Sequence, residues 1–115
     1  MAVFTLLNLS GSTNGRNIKV AATATPGTLI HTAHATSLDQ LFLEAQNTSG
    51  TDRVLTIEFG GVTDPDDLIE LTIPSDSGPI PIVSGRILTG SVVVRAFCAA
   101  AANVITIGGR VERYT

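Results

Sequence analysis

The chain has 115 residues, a net charge of −3, 43% hydrophobic side chains and only 15% charged ones. That length fits one domain. A single lysine and no basic stripe exclude nucleic acid as the main partner, because phosphate neutralisation needs clustered cations. Cys98 is the only cysteine, so no intrachain disulfide forms. Charged residues make up about 25% of a typical domain. The low charge, with a mean hydropathy of +0.34, points to apolar surface held against another copy.

Residues 1–9 are apolar but too short to span a membrane, and they lack the basic start of a secretory signal. The expectation is synthesis in a reducing cytoplasm with no membrane contact. Ser10-Gly11-Ser12-Thr13-Asn14-Gly15 follows and reads as a flexible stem. Residues 1–15 are therefore expected to be an N-terminal arm and hinge, and residues 16–115 a single β-sandwich domain. Phe4, Leu6 and Leu7 would anchor the arm on a neighbouring subunit or a capsid. The alternative is that the segment forms the first strand of its own sheet.

From residue 16 on, short β-branched runs alternate with turn residues. Over the whole chain Val, Ile and Thr account for 35 of the 115 residues, and Gly and Pro for 16 more. Ile18 and Val20 alternate with polar neighbours in a strand over 16–22. Thr25-Pro26-Gly27 makes a turn before a second strand at 28–34. In 38–47, Leu41, Leu43 and Ala45 recur with period two, which favours strand over helix. A five-residue loop then leads into 53–59, with Leu55, Ile57 and Phe59 on one face.

A polar loop, 60–67, precedes a strand at 68–73. Pro74, Pro79 and Pro81 predict an irregular, extended stretch at a sheet edge. A short strand at 86–89 and long ones at 91–97 and 103–113 complete the pattern, with Gly108-Gly109 read as a bulge. Seven to nine strands at this spacing predict an all-β antiparallel sandwich of jelly-roll type.

Few residues carry chemistry. Asp64, Asp66 and Asp67 could offer oxygens to a hard cation, but their spacing is that of a turn and not of a calcium loop. His31 and His34 are three apart, which sends them to opposite faces of a strand. Glu58 and Glu70 can approach across a hairpin, and Arg95 is an equally good partner for either. Cys98 has no histidine near it in sequence to lower its pKa. There is no nucleophile elbow and no phosphate-binding loop. The inventory predicts a non-enzymatic protein without catalytic residues, metal or cofactor.

The charge is unevenly placed. Residues 39–76 hold nine of the ten acids and one base, whereas both flanking segments are basic. These charges face solvent, or an acidic edge of one copy meets a basic edge of the next.

Three stretches also resemble a known group. They are Ser37–Leu43 running to Asn47-Thr48-Ser49, then Leu55–Gly61 with Thr63–Asp67, and Val92–Phe97 with Asn103–Ile107. Together, within residues 28–113, they resemble small structural proteins of tailed-bacteriophage virions, notably head decoration (cement) proteins. The resemblance implies a β-sandwich body, often trimeric, bound to the major capsid protein outside the shell. It transfers no functional residues. The expected protein is thus a homotrimeric decoration protein that stabilises a phage capsid. A tail, fibre or head-spike component recognising a host surface is the alternative. A small carbohydrate-binding domain comes third and is disfavoured by the absence of Trp and a single Tyr.

Overall fold

The computed structural model describes residues 3–115, and Met1 and Ala2 of the expected arm lie outside them. Among the described residues nine strands run in chain order: β1 (Phe4–Leu7), β2 (Ile18–Lys19), β3 (Thr28–Thr32), β4 (Leu38–Asn47), β5 (Arg53–Phe59), β6 (Leu68–Ile73), β7 (Ser77–Leu88), β8 (Val93–Phe97) and β9 (Ile105–Tyr114). The first sheet has the order β1-β9-β4-β7, with β2 on the same β9. The second sheet has the order β3-β8-β5-β6. Every pairing is antiparallel.

The pairings nest. β5 meets β6, β4 meets β7, β3 meets β8, and β1 and β2 meet β9. This is one long hairpin folded over on itself, the connectivity of a jelly roll. Period-two alternation places the core. Leu41, Leu43 and Ala45 of β4 pack with Leu55 and Ile57 of β5 in one apolar core completed by Ile105, Ile107 and Val111.

Three local expectations change. The proline-rich stretch is a 12-residue strand, β7, and absorbs the expected strand at 86–89. It lies at a sheet edge, where Pro79 and Pro81 cost few ladder bonds. Gly108-Gly109 makes no bulge, since β9 pairs with β4 without a shift. Gly109 is there because β4 passes so close that an added Cβ would lie 2.0 Å from the Phe42 carbonyl oxygen. The irregularity falls in β4–β7 instead, near Gly85, whose φ is +90°.

The expected arm and stem lie on the chain's own body. Phe4–Leu7 pairs with β9 as an edge strand, the second of the two outcomes anticipated for it. The Ser10–Gly15 stem is pinned. Gly11 N–H donates to the Ile30 carbonyl at 2.9 Å, and Thr32 N–H donates to Ser10 Oγ at 2.7 Å. Gly11 sits so close to β3 that a Cβ would lie 2.5 Å from the Leu29 carbonyl oxygen. Composition suggested flexibility, but close backbone approach is the other use of glycine.

Candidate functional site: an apolar sheet face above a buried ionic cluster

The outer face of the first sheet is built by the residues that alternate with its core. Cross-strand register sets Phe4, Tyr114 and Leu38 in one row, and Leu6, Glu112, Gln40 and Ile87 in the next. The Phe4 and Tyr114 rings pack with centroids 5.2 Å apart. In a third row the Arg110 guanidinium lies 4.1 Å over the Phe42 ring, and its Nε donates to Glu112 Oε2 at 3.1 Å. Leu6 is 63% exposed and Ile87 55%. Among the described residues, five of the nine exposed large apolar side chains stand on this face.

The opposite outer face is more polar and partly covered. Thr56, Glu58, Glu70 and Arg95 share it in register. The Thr25–Gly27 turn folds over Glu58. Thr25 Oγ1 donates to Glu58 Oε2, and Gly27 N–H donates to Oε1 at 2.6 Å. Arg95 sits directly opposite Glu58 but donates to the Gly27 carbonyl at 3.3 Å rather than forming an ion pair. Glu70 is exposed whereas Glu58 is buried, so the two carboxylates occupy different environments.

Beneath the apolar face lies an ionic cluster. Asp39 is fully buried at an inward position of β4. Arg113 of β9 donates to it through two nitrogens, at 2.6 and 2.9 Å. His31 Nε2 lies 2.8 Å from Asp39 Oδ2, and the His34 N–H reaches the same oxygen at 3.2 Å. His31 Nδ1 accepts from the Ser10 N–H at 3.0 Å. That contact assigns the proton to Nε2, which donates to Asp39.

Burial alone pushes the Asp39 carboxyl up. The hydrogen bonds from Arg113 and His31, the guanidinium charge and the His34 N–H outweigh it and hold the group at about 2. Arg113 is held above its ordinary value, first by its hydrogen bonds to Asp39 and then by that carboxylate's charge, against its partial burial.

Ser10, His31 and Asp39 are the residue types of a nucleophile triad, but they are wired differently. The Ser10 hydroxyl accepts from Thr32 N–H, and the Ser10 backbone, not its Oγ, meets the imidazole. Both ring nitrogens of His31 are engaged, and the residue is 1% exposed. The arrangement ties the N-terminal segment, β3, β4 and β9 together without offering a proton to a bound molecule.

The sequence-predicted residues fall as follows. Phe4 and Leu6 are exposed on the apolar face, whereas Leu7 turns inward and packs on the core. The His31 and His34 rings do not converge, and His34 meets Asp39 only through its backbone N–H. His34 lies beyond β3, and its Nδ1 accepts from the Thr36 and Ser37 N–H groups. Asp67 Oδ2 accepts from Thr63 N–H at 3.1 Å, the side-chain-to-backbone bond of a turn. Among the described residues no group of three or more His, Cys, Asp or Glu side chains is placed to hold a metal.

The Asp39 cluster was missed, although its signal was present. With Leu41, Leu43 and Ala45 inward, the same parity sends Asp39 inward, and a buried carboxylate needs partners. The chain matches no family model, no curated protein and no solved structure.

Proposed function

We propose that the protein is a non-enzymatic virion structural protein that binds the outside of a bacteriophage capsid through the apolar face of its first sheet. The observation that carries this reading is the asymmetry of the two outer faces. One exposes five large apolar side chains over the Asp39–Arg113–His31 cluster, and the other is more polar and partly covered by its own turn. Apolar surface of this kind marks a contact with another macromolecule. The jelly roll is a fold of viral capsid proteins and lectins alike, so topology supports the reading by analogy only. The mechanism is mechanical. Contacts made only in the assembled shell stabilise that shell by mass action, and many copies multiply the effect.

Quantitative mass spectrometry of purified phage particles tests this. Hundreds of copies per particle are expected. A few copies would favour the tail, fibre or spike role, and none would overturn both. Ile87→Lys on the apolar face should lower occupancy on particles while leaving the fold intact.

A further inference from the structure

The four sheet edges are not treated alike. β7 carries Pro79 and Pro81 and breaks register at several points. β3 is covered by the Ser10–Gly11 segment. β6 carries the exposed carboxylate of Glu70. Proline, bulges, charge and covering loops are the usual means of stopping a sheet edge from pairing onward. Among the described residues β1, four residues long, has none of these. Its sequence is Phe4-Thr5-Leu6-Leu7, and Phe4 and Leu6 are exposed.

The backbone of β1 is arranged for a partner. Val3 and Thr115 exchange both of their hydrogen bonds, each at 2.9 Å. By antiparallel alternation Thr5 and Leu7 also turn their polar groups toward β9, and Phe4 and Leu6 turn theirs away. The open edge thus presents two N–H and two C=O groups, from Phe4 and Leu6.

We propose that β1 pairs antiparallel with β1 of a second copy about a two-fold axis at Thr5. In this register Phe4 faces Leu6 of the partner subunit and the partner subunit's Phe4 faces Leu6. All four outward groups on each strand are then satisfied. The choice of a second copy rests on this self-complementarity, since the same two residues supply the donors and acceptors on both sides. The first sheets of both copies become one continuous sheet. The row Leu38–Tyr114–Phe4 runs across the axis into Leu6 of the partner subunit, joining two apolar faces into one. The contact produces dimers rather than the homotrimer that the resemblance to decoration proteins implies, and it stands whether or not the protein sits on a capsid.

Analytical ultracentrifugation of the full chain from about 1 to about 200 micromolar should show a reversible dimer, as suits a contact of limited area. Leu6→Pro removes an outward N–H and leaves the bonds to β9 in place. It should weaken the dimer about tenfold or more, and Leu6→Lys should do the same. Thr5→Cys gives an independent reading in an otherwise unchanged chain. Across the axis its Cα lies about 4.5 Å from its symmetry mate, within disulfide range. A cysteine at Phe4 is offset by about 7–8 Å or more and should not bridge. Cys98 is buried and does not compete. Rapid oxidation of Thr5→Cys to a linked dimer, with little for Phe4→Cys, supports the pairing even if Leu6→Pro fails to fold. A monomer throughout the range overturns it, as does equal cross-linking of the two cysteine variants. So does an oligomer broken by Ile87→Lys but not by Leu6→Lys.

Discussion

Asp39 and Glu58 are both fully buried carboxylates on central strands, yet they are held in different ways. Asp39 points into the interior and is met by a guanidinium, an imidazole and a backbone N–H drawn from both sheets. Glu58 points outward and is met by a hydroxyl and a backbone N–H of one turn. A side chain that faces the sandwich interior can tie sheet to sheet, whereas one on the outer face can tie down only the loop that covers it. The first bond is made by charge and extends through the fold. The second is local.

The sharpest way to break this contrast is Arg113→Leu. It leaves the Asp39 carboxylate buried without its cation, which costs about 3–5 kcal/mol. Chemical denaturation should show the whole domain losing that stability in one transition. A loss below about 1 kcal/mol would mean that His31 and the His34 N–H suffice alone.

Acid probes the same cluster. The folded value of Asp39 is depressed, so its contribution is complete above the ordinary carboxyl value of 3.8 and is lost as pH falls through about 2. That interval corresponds to about 2 kcal/mol. Urea unfolding at several acid pH values should show the decline, and Asp39→Asn should flatten it relative to the unsubstituted chain. An unchanged acid limb in Asp39→Asn would place the acid sensitivity elsewhere.

Glu58→Ala should cost less, about 1–3 kcal/mol, because the groups it strands are a hydroxyl and an amide that the freed turn can offer to water. Thr25→Val is the mildest change, at about 1 kcal/mol. Hydrogen exchange separates the two regions. Thr25→Val should speed exchange at Gly27 and leave Ser10 and His34 protected. Faster exchange at both places would show that the two carboxylates are coupled through the second sheet.

Much of the fold was legible because a half-buried strand repeats with period two. Residues 38–47, 53–59 and 68–73 are strands at those bounds. The parity of β4 also marked Asp39 as inward, although its partners were beyond reach. Arg113 lies 74 positions away in sequence, and no local pattern brings it to Asp39. The glycines misled for a related reason. Gly11 and Gly109 are small because another backbone passes beside them, and which backbone does so is set by the sheet order.

Composition and alternation alone thus determined an all-β chain of seven to nine strands, its core faces and its excess of apolar surface. These follow from side-chain periodicity, which every segment carries within itself. Tertiary structure decided which apolar residues stay outside, which edge stays open, and that the glycine-rich stem is pinned rather than loose. Those depend on pairing between strands far apart in sequence. The apolar face is the clearest case. Phe4, Leu38, Ile87 and Tyr114 are scattered along the chain, and only the nested pairing of β1, β9, β4 and β7 sets them side by side.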